Sequence, residues 1–178
     1  MYYADPSGRC TGCSSSANSG PATRPPKAPG WLCRCCVNLS AWELFSRTGV
    51  DPDGGGNQEQ EEGGNAMQHC LLSCMSAVQC GQECALDYWD SRETNPAAVT
   101  HQMDLQNNLD GRDCAARYDS GSHGAPVYFC YDCCMQKLEA GELTCLSGKP
   151  RTTVPCPKPD PDEDPVFPPP DPVPPPTQ

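Results

Sequence analysis

Apolar positions in the middle of the chain recur with a period of about 3.6 residues, and the two ends lack any such pattern. From Ala66 to Glu93 the positions Met67, Leu71, Cys74, Val78, Ala85, Tyr88 and Trp89 fit one helical stripe, which predicts a long helix or two helices broken at Gly81. Asn65 stands ahead of this stretch as a cap. Asn95-Pro96 ends the stretch and restarts the chain, because proline suits a first helical turn while the residue before it is pushed out of helical backbone. A second long helix is expected from about 97 to 118. Upstream, Ser40 with Glu43 reads as a capping box, followed by the apolar face of Trp42, Leu44 and Phe45, and predicts a short helix at about 40–48. Val127–Tyr131 fits either a strand or the start of a helix through Leu138 with Gly141 past its end; we favour the helix.

The flanks read differently. Residues 1–34 are rich in small residues and proline and fit a flexible linker, and Asp51–Gly64 is a polar, glycine-rich loop. From Lys149 the chain turns acidic and proline-rich, ending PDPDEDPVFPPPDPVPPPTQ, a polyproline II segment with no core-forming capacity. The expected architecture is therefore all-α: a small helical domain over 35–147 with disulfides, between a disordered linker (1–34) and a disordered acidic tail (148–178). Trp42, Trp89, Tyr128 and Phe129 are assigned to its core, and His123 to a loop.

Fifteen cysteines in 178 residues is the density of a disulfide scaffold and favours an oxidising destination. Their odd number requires at least one thiol that is free, metal-bound or paired with another chain. Cys70/Cys74 and Cys80/Cys84 sit one helical turn apart, which suits cross-links to neighbouring segments. The spacings Cys10-x-x-Cys13 with Cys33-x-Cys35-Cys36, and Cys130-x-x-Cys133-Cys134, are compatible with zinc, and no other cofactor is expected. A net charge of −11 repels phosphate backbones and disfavours nucleic acid as a partner, although much of the acidic excess lies at 59–62 and 160–171. There is no apolar stretch of about 18 residues, and the N-terminus lacks a signal-peptide layout, so export is expected to be the task of a longer protein unless the chain works in the cytoplasm. Contact with a membrane is left open.

Candidate chemistry lies on the long helices. Asp104, Asn107, Asn108, Gly111 and Arg112 follow an i, i+3, i+4, i+7, i+8 spacing and form one polar stripe, with Gly111 allowing close approach of a neighbour. If the two helices pack antiparallel, His69 falls toward Arg112 and Glu93 faces Asp104. Such a cleft serves general acid–base chemistry or positions a metal and a water, with His69 as base or ligand, Asp104 and Glu93 as carboxylate partners, and Asn107, Asn108 and Arg112 as orienting groups. Read structurally, the same residues cap helix ends and pair Arg112 with Glu93 or Asp104. A Cys-His-Asn set of Cys70, His101 and Asn107 or Asn108 is a separate candidate.

Two motifs carry a resemblance. Tyr3-Ala4-Asp5-Pro6-Ser7-Gly8-Arg9 resembles the DPxGR stretch that closes the core of bacterial Rhs (YD-repeat) proteins. Gly64–Cys70, Glu93, Gln102–Arg112 and Leu138–Leu143 together resemble a family of uncharacterised helical domains at the ends of Rhs and wall-associated proteins, with the pattern NAxRHxxW, HE, MDLxNNxxGR and ALxxGxL. Gln68 stands here in place of the arginine, and Arg92 in place of the histidine before Glu93. The resemblance implies a toxin-like C-terminal effector used in interbacterial competition, a hydrolase of undefined substrate if it is an enzyme. It also implies secretion or delivery within a larger protein, a parent Rhs shell, and a cognate immunity protein. The rival reading is a non-enzymatic, disulfide-braced binding or membrane-perturbing module; a third is a cytosolic zinc-binding regulator.

Overall fold

The computed structural model describes residues 30–48, 63–93, 95, 97–147, 152–159 and 169–170. The expectations for the Asp5-Pro6 motif, the N-terminal linker before residue 30, the 51–62 loop and nearly all of the tail beyond 160 lie outside those residues.

The central periodic run does divide at Gly81. This residue has φ 91° and ψ 153°, backbone that a Cβ would oppose, so α2 (Gly64–Cys80) stops there and α3 (Gln82–Trp89) starts in a new direction. A 3-10 turn (Asp90–Arg92) follows, then α4 (Val99–Ala115) and α5 (Pro126–Ala140). The ambiguous 127–138 segment is thus helical. Pro126 occupies its first turn, and Gly141, left-handed at φ 75°, closes it: the Gly141 amide donates to the Leu138 carbonyl (3.0 Å) and the Glu142 amide to that of Lys137 (2.8 Å).

The first helix corrects the reading of its sequence. α1 spans Gly30–Thr48, so Ser40 lies inside a helix and caps nothing. Its buried hydroxyl donates to Gln79 Oε1 (2.5 Å), and Gln79 Nε2 donates to Glu43 Oε2 (2.6 Å), joining α1 to α2. Trp42, assigned to the core, is 64% exposed, whereas Trp89 is buried with its indole N–H on Ser76 Oγ (2.9 Å).

Helix α2 is the centre of the molecule. Met67, Cys70, Leu71, Cys74 and Met75 are fully buried, facing Val37 and Leu44 of α1 and Cys130, Cys134 and Leu138 of α5. Two antiparallel cross-link ladders follow from thiols spaced one turn apart. Cys70 and Cys74 of α2 bond to Cys134 and Cys130 of α5, and Cys33 and Cys36 of α1 bond to Cys84 and Cys80 across the Gly81 break. Cys114–Cys133 ties α4 to α5. Cys33, Cys36, Cys130, Cys133 and Cys134 are therefore disulfide sulfurs rather than zinc thiolates; the Cys10, Cys13 and Cys35 side chains lie outside the described residues.

A short hairpin is the one departure from an all-helical plan among the described residues. β1 (Thr144–Ser147) pairs antiparallel with β2 (Thr152–Pro155), in register Thr144 with Pro155. Residues 152–156, expected in a disordered tail, thus belong to the fold. Thr152, Thr153 and Val154 are β-branched, and Cys156 is bonded to Cys145. Asn107 anchors the hairpin to α4: its Nδ2 donates to the Thr144 carbonyl (2.8 Å) and its Oδ1 accepts the Thr144 amide (2.9 Å). Asn107 is fully buried and Thr144 half-buried, so Asn107→Ala removes the partner of both Thr144 groups at a cost of about 1–3 kcal/mol. Denaturant unfolding of Asn107→Ala is expected to show this loss, with faster hydrogen exchange at the Thr144 amide than in the parent protein.

Candidate functional site

Asn65 and His69 sit one turn apart on α2, and Asp104, Asn108 and Arg112 one turn apart on α4. The two helices pack directly against each other, with Gly111 against the α2 backbone. Because α3 turns away at Gly81, the segment after it brings Asp90 and Glu93 back to this seam.

One hydrogen-bonded chain sets the orientation of the histidine. Arg112 is bidentate on Asp90 (Nη1 to Oδ1 2.9 Å, Nη2 to Oδ2 3.1 Å), and Asn108 Nδ2 donates to Asp90 Oδ1 (3.2 Å). With its nitrogen committed to a carboxylate, Asn108 presents its oxygen to His69 Nδ1 (3.1 Å), so Nδ1 carries the hydrogen and donates it. Nε2 is then turned toward Asp104, 3.1 Å from Oδ1, which also accepts from Asn65 Nδ2 (3.2 Å). Glu93 completes the group: one oxygen of Glu93, one of Asp104 and a ring nitrogen of His69 all lie within 4.8 Å of one another. His101 stands beside it, Nδ1 3.7 Å from Glu93 Oε2 and accepting the Asn95 amide (2.9 Å).

Burial raises the Glu93 carboxyl above its ordinary range, and the neighbouring Asp104 charge pushes it further, against the opposing pull of His69, His101 and Arg92. Burial likewise raises Asp104, opposed first by His69 and then by the Asn65 hydrogen bond. The two carboxyls thus raise each other's cost of ionisation, with His69 between them as the nearest balancing group. The cluster is not sealed: the side chains are 19% (His69), 13% (Asp104) and 12% (Glu93) exposed.

Of the six site residues expected from the sequence, His69, Glu93 and Asp104 converge, Asn108 and Arg112 stand behind them, and Asn107 faces the hairpin instead. His69 does not face Arg112. It lies level with Asp104 and Asn108 and is linked to Arg112 through Asn108 and Asp90, the first residue of the 3-10 turn. Arg112 pairs with neither Glu93 nor Asp104. Two members were missed. Asn65 is not a cap but an Asp104 partner, and Asp90 is the counter-ion whose need was signalled by a buried arginine with three carboxylates, Asp87, Asp90 and Glu93, within reach along the sequence. The Cys-His-Asn set falls apart, because Cys70 is bonded to Cys134. The surface hollow lined by Arg117, His123, Phe129 and Cys133 involves none of the site residues.

In comparisons with known proteins the chain matches no family model, no curated protein and no solved structure. Fold and site define a class by themselves: a disulfide-braced, mainly helical domain with a part-buried histidine–dicarboxylate cluster. Among the described residues no helix is long and apolar enough to cross a membrane, and the cross-links are compatible with an extracellular or secreted protein.

Proposed function

We propose that this chain is the effector tip of a larger exported protein of the Rhs kind and that it works as a hydrolase, with the His69, Glu93 and Asp104 cluster activating a water molecule. The observation that carries this reading is the Arg112–Asp90–Asn108–His69 chain, which holds one imidazole nitrogen toward two carboxyls at a site still reached by solvent. In this scheme one member of the cluster takes the proton of the attacking water and the cluster returns a proton to the leaving group, so protons balance over one turnover. Asn108, Asp90 and Arg112 are positioning residues. The disulfides suit a module that crosses oxidising compartments, and the Rhs-like motifs supply the parent shell and an immunity protein as partners.

The test is growth of bacteria that express the full chain in the cytoplasm or export it to the periplasm, beside His69→Ala and Asp104→Asn. Arrest in one compartment, relieved by either substitution in protein that keeps the parent circular dichroism spectrum, is the expected result and would indicate where the target lies. General acid–base groups contribute about 10²–10⁴-fold to a rate, enough for relief to be complete at ordinary expression levels. Arrest that survives both substitutions would favour the binding or membrane-perturbing module; unaffected growth with folded protein would remove the effector reading.

A further inference from the structure

Two carboxyls and an imidazole nitrogen, supplied by α2, α4 and the segment after the 3-10 turn, meet within 4.8 Å at a mostly buried site. Like charges so placed repel, and burial adds to the cost of ionising them. A divalent cation would offset both charges at once and make each carboxylate a ligand. Of the guanidinium groups, Arg112 is bidentate on Asp90, and Arg92, which acts on Glu93 through its charge, lies 5.5 Å from the ring centroids of both Tyr88 and Trp89.

The surroundings of His69 favour the cation. Imidazole ligands donate their remote N–H to a carbonyl or carboxylate oxygen, which sets the tautomer and aims the ligating nitrogen. His69 has that arrangement, with Nδ1–H on Asn108 Oδ1, and Asn108 is itself held by the Arg112–Asp90 pair. Asp104 has its own supporting donor in Asn65. We propose that His69, Glu93 and Asp104 form a binding site for one divalent transition-metal ion of the Zn²⁺ or Mn²⁺ type. One nitrogen and two oxygen donors suit these ions better than Ca²⁺ or Mg²⁺, which take oxygen ligands, and better than Cu(I), which takes sulfur. Three protein ligands leave coordination positions for water, the arrangement of a catalytic rather than a structural metal. The inference rests on the hydrolytic reading of the same cluster and deepens it. A bound ion would make its water more acidic, and the non-ligating oxygen of Glu93 or Asp104 would take the released proton and return it to the leaving group.

The experiment is calorimetric titration of Zn²⁺, and separately of Mn²⁺, into the full, untagged, oxidised chain after chelator treatment and alkylation of any free thiol, so that cysteine cannot supply the ligands. One ion per chain is expected, with binding abolished in His69→Ala and reduced at least tenfold in the partly exposed Glu93→Gln. Asn108→Ala leaves all three ligands in place and is expected to weaken binding about 10–100-fold, the usual effect of removing a partner of a ligating histidine. Nuclear magnetic resonance of the imidazoles should show the His69 Nε2 signal move on Zn²⁺ addition while Nδ1–H stays bonded. Failure of the parent chain to bind either ion, or binding that His69→Ala and Glu93→Gln leave unchanged, overturns the metal site. Binding is read on purified protein and killing on cells, so the two readings fail separately. Absence of binding with growth arrest intact removes the ion and keeps the hydrolase, whereas a one-to-one site in a chain that never arrests growth supports the ion and removes the effector.

Discussion

Full reduction of this protein is expected to abolish its cooperative unfolding transition. Six disulfides among the described residues close loops with sequence separations from 11 to 64, and chain-entropy reasoning assigns each about 3–4 kcal/mol. Overlapping loops do not add fully, yet two or three such contributions already equal the net stability of a typical domain, about 5–15 kcal/mol. The apolar core cannot compensate, since much of it consists of the bonded cysteines themselves, with Cys70, Cys74, Cys114, Cys130 and Cys134 all fully buried. Thermal melts followed by circular dichroism, with and without a phosphine reductant, test this; a reduced protein melting within a few degrees of the oxidised one would show that the cross-links are not what holds the helices. The paired substitution Cys74→Ala with Cys130→Ala isolates one rung of the α2–α5 ladder and should lower Tm by about 10 °C or more.

Gly111→Ala is expected to be the most damaging single substitution in the α2–α4 seam. A Cβ at Gly111 would collide with the carbonyl oxygen of Cys70 and stand 2.9 Å from the amide nitrogen of Cys74, both backbone atoms of a helix that two disulfides fasten to α5. No side chain can rotate aside, so the helices must separate. Overpacking of this kind costs about 1–3 kcal/mol and sometimes more, against a gain of about 1 kcal/mol from replacing glycine within a helix. We expect a net loss of up to about 2 kcal/mol in denaturant unfolding, and the same separation draws His69 away from Asp104 and Asn108. Gly30→Ala, where an added Cβ meets nothing within 4 Å, is the control and should be near neutral. A Gly111→Ala protein as stable as its parent would mean that the helices do not approach as closely as described.

Local features were legible before the fold was known because their causes are local. The 3.6-residue periodicity, Gly141 past its helix and the break at Gly81 each act within a turn or two of themselves. The pairing of thiols one turn apart as cross-links belongs with them, although which helix each would meet does not. Where local cues stood for something else, they misled. Ser40 and Asn65 have the chemistry of helix caps, yet both side chains are drawn to partners 39 residues away, Gln79 and Asp104. Trp42, apolar enough for a core, falls on an outer face of α1.

The candidate site divides in the same way. That His69, Asp104, Asn108 and Arg112 would share a seam follows from helical spacing, and that Glu93 would meet Asp104 follows from the Asn95-Pro96 connection. The sequence by itself thus determined which residues are helical, which polar groups share a stripe, and that cysteine rather than a large apolar core would brace the domain. Only the tertiary structure decided that Arg112 takes Asp90, that Asn107 holds a hairpin instead of joining the cluster, that 152–156 belong to the fold, and that Nε2 is the histidine nitrogen aimed at the carboxyls. The physical reason is that spacing along a helix sets only the direction in which a side chain points, while its partner is set by how α2, α3 and α4 pack, through contacts tens of residues apart in sequence.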